Sequence, residues 1–231
     1  VLNQCHNVLI TDNIIKYNQA SVQGVGGAGG GISITCTAVE ATNSLIIRNN
    51  LVQENIAAMT ADIGLGGGIV LYGPANFSNN LILSNTALLS ETENFDSIIN
   101  GGFGGGISFR AWSPGDLNRV TIHNDILQFN VASKLGNGWG GGIHLFGSES
   151  ADSPIGLIDI VNGVFANNRA SIAGSGIAAS GNLEVHLKHN TFARNQGGDD
   201  SGIFITDGFF RDLFPIFRPS KIILTNSMIS D

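Results

Sequence analysis

The chain repeats one phrase seven times within its 231 residues. Each phrase is centred on an Asn or a substitute for it. Apolar residues stand five and three places before this residue and two places after it. A second Asn usually stands five places after it. The first Asn-like positions are Asn13, Asn50, Asn80, Asp125, Gly163, Asn190 and Asn226. The second positions are Asn18, Asn55, Asn85, Asn130, Asn168, Asn195 and Asp231. Repeats of constant content and variable length predict stacked units that share a core and differ in their loops.

A glycine cluster and then Ile-x-apolar follow six of the phrases. The Ile positions are Ile32, Ile69, Ile107, Ile143, Ile177 and Ile203. The apolar residues of each phrase recur with a period of two, and the residues between them are mostly polar, which is the alternation of a strand with one buried face. Each unit is therefore expected to contribute three short strands. In the seventh phrase the same spacing from Asn226 predicts that Lys221, Ile223 and Met228 point inward.

The glycine clusters exclude a helical repeat. Runs of three glycines stand at 29–31, 66–68, 104–106 and 140–142, and each Gly inside a helix would cost about 1 kcal/mol. We expect an all-β fold: a single-stranded right-handed parallel β-helix, a solenoid of about seven turns with loop insertions, that occupies 1–231 as one domain. Adjacent turns would lie about 4.8 Å apart. The chain begins and stops within a phrase, so we expect it to be a fragment of a longer repetitive chain.

The second Asn set predicts a ladder. Asn tolerates a left-handed backbone better than most residues, which suits it to a corner between strands. When equivalent corners stack, each amide donates to the next and accepts from the previous one, so that no buried polar group is left unpaired. The expected rungs are Asn18, Asn55, Asn85, Asn130, Asn168 and Asn195.

Charge and composition argue against several partners. The net charge is −7, and the sequence has no basic cluster, which argues against nucleic acid and anionic membrane surfaces. No run of 18 apolar residues is present, so no membrane span is expected in this segment. Cys5 and Cys36 stand at different points of the phrase and are expected to be buried thiols rather than a disulfide framework.

Two phrases resemble a known repeat. The segments Phe165-Ala-Asn-Asn168 and Phe192-Ala-Arg-Asn195, together with the Gly-Gly-Gly-Ile elements, are similar to the paired FxxN and GGA(I/L/V) repeats of polymorphic outer membrane proteins, within the wider pectin-lyase-like superfamily. That family more often has Gly-Gly-Ala where this chain has Gly-Gly-Gly. The resemblance implies a secreted or surface-displayed right-handed β-helix, commonly the passenger or stalk of an adhesin.

The leading hypothesis is a non-catalytic extracellular or cell-surface protein with a structural, adhesive or fibre-forming role. Its partners would be neighbouring repeats of the parent chain, its own copies, glycans or a host surface. The segment at 208–219 concentrates phenylalanines that would fold back on the side of the solenoid or bury against another chain. These interface candidates are Phe209, Phe210, Phe214 and Phe217.

The alternative hypothesis is a polysaccharide lyase, a glycoside hydrolase or a carbohydrate-binding β-helix. A glycosidase needs grouped carboxylates, and the best candidates are Asp199 and Asp200, although adjacent residues of a strand point to opposite faces. Tyr72, Arg110 and Phe146 are expected side by side on an outward face, where they would stack sugar rings or form a cation packed between aromatics. A lyase would also need calcium, but no residue spacing marks a metal site. His144 is expected to point outward into solvent.

Overall fold

The computed structural model describes residues 7–36, 45–91, 100–110, 119–148, 155–198, 202–206 and 220–230. Within these ranges the chain is all-β and contains no helix. The strands are β1 (Val8–Thr11), β2 (Ile14–Lys16), β3 (Gln19–Ala28), β4 (Ile32–Thr35), β5 (Leu45–Arg48), β6 (Leu51–Gln53), β7 (Ile56–Leu65), β8 (Ile69–Tyr72), β9 (Ala75–Ser78), β10 (Leu81–Leu83), β11 (Thr86–Glu91), β12 (Gly101–Phe103), β13 (Ile107–Arg110), β14 (Arg119–His123), β15 (Ile126–Gln128), β16 (Val131–Leu135), β17 (Gly138–Trp139), β18 (Ile143–Phe146), β19 (Gly156–Val161), β20 (Val164–Ala166), β21 (Ile177–Ser180), β22 (Leu183–Lys188), β23 (Thr191–Ala193), β24 (Ile203–Thr206), β25 (Lys221–Thr225) and β26 (Met228–Ser230).

The strands form four parallel sheets, which confirms the all-β parallel prediction. Sheet 1 has the order β1-β5-β9-β14-β19-β22-β25, sheet 2 the order β2-β6-β10-β15-β20-β23-β26, and sheet 3 the order β4-β8-β13-β18-β21-β24. Neighbours in each sheet are the equivalent strands of consecutive phrases. Equivalent residues of neighbouring phrases are 27 to 45 positions apart along the chain.

A fourth sheet was not predicted from the sequence. It contains β3, β7, β11, β12, β16 and β17, and its central strand β7 is ten residues long. β11 pairs with the first part of β7, and β12 pairs with its last part. The sequence pattern indicates only three strands in each unit, because the glycines and polar residues of these segments hide the alternation. The fourth sheet therefore follows from pairing between units and not from a local pattern.

The core lies between sheets 1, 2 and 3, and the inward residues are those that the period of two assigns. In β9, for example, Ala75 and Phe77 are buried whereas Asn76 is exposed. Phe165 and Phe192, at equivalent positions of β20 and β23, stack with ring centroids 4.9 Å apart. Similar side chains thus pack on one another from unit to unit, which suits parallel strands in register.

The register of the seventh unit differs from the prediction by one residue. Val185 pairs with Ile222 and Phe192 pairs with Ile229, so these residues lie opposite the core positions. The predicted inward set of Lys221, Ile223 and Met228 is wrong. The error arises because β25 contains three consecutive apolar residues, so alternation alone leaves its register undetermined.

Glycines stand where the backbone needs them. Gly66 opens one glycine cluster with φ 58°, a left-handed conformation that costs Gly little. Gly102 has a different reason, because a Cβ there would collide with the backbone carbonyl of Ala132 in the neighbouring unit. These glycines therefore serve both a turn and a close approach of two backbones.

Candidate functional site

The second Asn positions form one continuous chain of side-chain hydrogen bonds. In each step the Nδ2 of one Asn donates to the Oδ1 of the next, over distances of 2.9 to 3.1 Å. The order is Asn18, Asn55, Asn85, Asn130, Asn168 and Asn195. The second N–H of each later rung donates to a backbone carbonyl of the preceding unit, as Asn130 does to Ile82 over 2.8 Å. The interior rungs therefore satisfy both N–H groups without water.

The left-handed backbone lies one residue before each rung, and not at the rung as the sequence analysis expected. At the second corner, the residues with φ between 52° and 58° are Tyr17, Glu54, Ser84, Phe129, Asn167 and Arg194. The correction has a physical reason: the rung residue must keep its backbone N–H pointing at the next Oδ1, so the residue before it makes the turn. Asn130 N, for example, donates to Asn168 Oδ1 over 3.0 Å.

The first Asn positions form a second, shorter ladder. Asn13 donates to Asn50, and Asn50 donates to Asn80, each over 3.0 Å. Asn80 then donates to the Oδ1 of Asp125 over 2.7 Å. The next position is Gly163, which brings no side chain, and its backbone N–H donates to Asn190 Oδ1.

The seventh position of this ladder is Ser227 rather than Asn226. The Oγ of Ser227 accepts the backbone N–H of Asn190 over 3.1 Å. Asn226 instead takes the left-handed conformation before the rung, with φ 48°. Asp231, the predicted second Asn-like position of this phrase, lies outside the described residues.

An outer row of amides borders the shorter ladder and was not predicted from the sequence. These residues have left-handed backbones and exposed side chains, and neighbours in the row bond to each other: Asn124 donates to Asn79 over 3.2 Å, and Asn162 donates to Asn124 over 3.1 Å. The signal in the sequence was the doubled Asn-Asn of 49–50 and 79–80. The first Asn of each pair makes the turn, and the second is the rung.

Tyr72, Arg110 and Phe146 occupy adjacent positions on β8, β13 and β18 of sheet 3. The guanidinium of Arg110 lies 5.2 Å from the centre of the Phe146 ring and 5.7 Å from that of Phe103 on β12. Such distances give a cation–π contact. Arg110 and Tyr72 are half-buried, whereas Phe146 is 8% exposed. The ring of Phe146 is therefore largely covered, which favours the packed-cation interpretation over an open stacking platform.

His144 is buried beside this cluster, and the prediction of a solvent-exposed histidine is wrong. Its ring lies 5.0 Å from Phe103 and 6.2 Å from Phe146 between centroids, and its exposure is 0%. Burial holds the pKa of His144 well below its usual value, and the nearby Arg110 lowers it further. Phe103 also stacks on Trp139 at 4.9 Å. The outer face of sheet 3 is thus an apolar layer in which His144 is a neutral packing element.

A group of charges lies on the outer face of sheet 1. Arg119 pairs with Asp159 over 2.7 Å, and His186 lies 3.1 Å from Asp159 and 2.7 Å from Glu184. The hydrogen bond from His186 lowers the pKa of Glu184. No pattern in the sequence predicted this group, because its members come from different units. These side chains are hydrogen-bonded to one another at the surface, where ion pairs usually contribute little to stability.

Several predicted site residues lie outside the described residues. They are Asp199, Asp200, Phe209, Phe210, Phe214 and Phe217. Among the residues that the structure describes, no three His, Cys, Asp or Glu side chains are grouped as metal ligands. These residues also provide no helix that could cross a membrane. The structure therefore leaves the catalytic and interface candidates as hypotheses.

Cys36 is disulfide-bonded and buried. The expectation that it is a buried thiol is wrong. Spacing along the chain does not report the distance between Cα atoms, which decides whether a bond can form. The one other cysteine of the sequence is Cys5, which lies outside the described residues.

A scan of protein-family models, a search of curated proteins and a search of solved structures find no match to this chain.

Proposed function

We propose that this chain is a segment of a right-handed parallel β-helix with a structural, adhesive or fibre-forming role at the cell surface or outside the cell. The observation that carries the proposal is the uninterrupted ladder from Asn18 to Asn195, because it requires equivalent corners to stack one above the other. Seven units at about 4.8 Å each make a rod of about 30 Å. The resemblance to the repeats of polymorphic outer membrane proteins supports the same proposal.

The distribution of polar groups supports a structural role. The buried amides of the longer ladder, from Asn18 to Asn195, are satisfied by each other and by backbone carbonyls. Such a network holds consecutive units in register but offers no unpaired donor or acceptor to a substrate. The charges on sheet 1 are likewise paired among themselves.

The disulfide at Cys36 supports the proposed localisation. Disulfide bonds persist in oxidising compartments and are rare in the reducing cytosol. A secreted or surface-displayed protein meets that condition. The proposed partners are neighbouring repeats of a longer chain, copies of the chain, glycans or a host surface.

A carbohydrate-active or carbohydrate-binding β-helix is the second candidate. The observation that favours it is Arg110, a half-buried residue of sheet 3 whose guanidinium lies between the rings of Phe103 and Phe146. Guanidinium and aromatic groups are suited to sugar hydroxyls and sugar faces. If the chain is an enzyme, Asp199 and Asp200 would be its catalytic carboxylates.

The two candidates are separated by incubating the chain with a panel of acidic and neutral polysaccharides. The structural proposal expects no unsaturated or reducing products, with or without added calcium. It also expects unchanged retention on polysaccharide columns when Arg110→Met removes the guanidinium. Turnover that disappears in the Asp199→Asn, Asp200→Asn double variant would establish the enzyme and overturn the structural proposal.

A further inference from the structure

Asp125 is the carboxyl rung of the shorter ladder and stands between the amide rung Asn80 and Gly163, which has no side chain. Its side chain is 0% exposed. Oδ1 accepts two hydrogen bonds from Asn80, from the backbone N–H at 2.6 Å and from Nδ2 at 2.7 Å. Oδ2 has no hydrogen-bond partner. One half of the carboxyl group thus behaves as an amide oxygen would, and the other half is unsatisfied.

The register of the ladder identifies what Oδ2 faces. The second N–H of Asn50 donates to the carbonyl of Ile10, that of Asn80 to the carbonyl of Ile47, and that of Asn190 to the carbonyl of Ile160, each over 2.9 Å. In every case the acceptor stands three residues before the preceding rung. The same rule places the carbonyl of Phe77 opposite Oδ2 of Asp125. Two acceptor oxygens in that position repel each other unless a proton lies between them.

The next unit brings nothing to relieve the contact. Its rung is Gly163, which lacks a side chain, and the space of the missing Cβ is bordered by Asn190 Oδ1 and the Phe165 ring, both at 2.9 Å. On its own strand, the titratable neighbour His123 contributes a backbone hydrogen bond, while its imidazole is exposed. None of the described ion pairs includes Asp125. No cation therefore compensates a negative charge at this place.

We propose that Asp125 is a protonated rung whose O–H donates to the carbonyl of Phe77, and that its ionisation loosens the joint between the third and fourth units. Below the pKa of Asp125 the acid imitates an Asn, and the ladder is continuous from Asn13 to Asp125. Above this pKa, the buried carboxylate of Asp125 faces the Phe77 carbonyl on one side and Gly163, which has no side chain, on the other. The protein thus contains a pH-sensitive joint at one defined position along the stack.

The shift in the pKa of Asp125 determines whether the joint becomes more or less stable as the pH rises. Burial raises the pKa of Asp125 from its ordinary 3.8 to about 7, and the hydrogen bonds from Asn80 oppose this rise. A raised pKa means that the native state keeps the proton over a range in which the unfolded or opened chain has already lost it. Stability is therefore fully present below 3.8 and is lost as the pH rises through about 7. Over that window the opening equilibrium constant increases about tenfold per pH unit.

The test is a titration of the 231-residue chain labelled with ¹³C at the aspartate carboxyl carbons. One buried carboxyl should titrate with a midpoint near pH 7, and Asp125→Asn should remove that signal. In the wild type, the exchange rate of the Asn80 amide should increase more steeply with pH than the intrinsic exchange rate does between about pH 4 and about pH 7. In Asp125→Asn this additional rise should vanish, because the amide supplies a permanent donor.

Asp12→Asn is the matched control, since it removes the same charge from an exposed ladder-adjacent position. The hydrogen bond from Thr11 lowers the pKa of Asp12, so this variant should keep the wild-type profile over the same window. The proposal is overturned if the Asp125 signal titrates near pH 4. It is equally overturned if Asp125→Asn and Asp12→Asn show the same pH dependence of opening.

Discussion

The side-chain amide of Asn130 donates a hydrogen bond to the Oδ1 of Asn168 over 3.1 Å, although 38 residues separate the two along the chain. The same side chain donates to the carbonyl of Ile82 and accepts both the backbone N–H and the Nδ2 of Asn85. One buried residue thus connects three consecutive units. Its removal is the most direct test of how much the ladder stabilises the fold.

Asn130→Ala should lower the free energy of unfolding by about 2–4 kcal/mol, because each buried donor or acceptor left unsatisfied costs about 1–3 kcal/mol. Asn85 loses the acceptor of its backbone N–H, and the Ile82 carbonyl loses its side-chain donor. Gln128→Ala is the control, since this amide lies two residues earlier on the outer face and should cost less than about 0.5 kcal/mol. Urea denaturation measures both; equal losses would exclude the ladder as a major source of stability.

Phe129→Asn should stabilise the protein by up to about 1 kcal/mol. Phe129 has φ 58° and its side chain is 54% exposed, so the substitution relieves a left-handed backbone that Asn tolerates better and sacrifices little burial. Leu135→Asn tests whether polarity alone explains a gain, because Leu135 is 69% exposed on β16. A higher melting temperature in both variants, or in neither, would contradict the backbone explanation.

Gly102→Ala should destabilise the protein by about 3 kcal/mol or prevent folding, because the methyl group would overlap the Ala132 carbonyl of the adjacent unit. Gly202→Ala is the matched substitution. A Cβ at Gly202 would meet the Ile229 Cγ2 at 3.4 Å, an ordinary contact, so this change should be nearly neutral. Chemical denaturation of the two variants compares them, and tolerance of Ala at Gly102 would show that the two backbones are not in such close approach.

Reduction should destabilise the chain through Cys36. Loss of a native disulfide typically costs about 2–4 kcal/mol, so dithiothreitol should lower the melting temperature of the wild type but leave Cys36→Ser unchanged. A thiol assay on the unfolded, unreduced protein should detect no free thiol. Free thiols in that assay, or identical melting curves with and without reductant, would contradict the disulfide.

Asp125→Asn should also change global stability with pH. The shift in pKa from 3.8 to about 7 corresponds to a penalty of about 4 kcal/mol on the wild type once Asp125 is ionised. The substitution should therefore raise the free energy of unfolding above about pH 7 and have a small effect below 3.8. Urea midpoints across this range measure the difference; a constant difference at all pH values would mean that the pKa of Asp125 is the same in the native and unfolded states.

The sequence by itself determined, for the first six units, which residues of the three predicted strands face the core and which repeat positions lie next to each other. Val120 and Ile122, for instance, were assignable as inward residues because strand alternation is a local property of successive Cβ directions. The five-residue spacing of Asn85 to Asn80 and of Asn55 to Asn50 likewise indicated two stacked corners. Local periodicity and composition were sufficient for the all-β, parallel character of the fold.

Only the tertiary structure decided the features that depend on contacts between units. The burial of His144 depends on Phe103 and Phe146 from other strands, and the register of β25 depends on its hydrogen bonds to β22. The unsatisfied Oδ2 of Asp125 likewise becomes visible only when Asn80 and Gly163 are placed on either side of it. In each case the deciding interaction joins residues that are distant in sequence, so no local pattern encodes it.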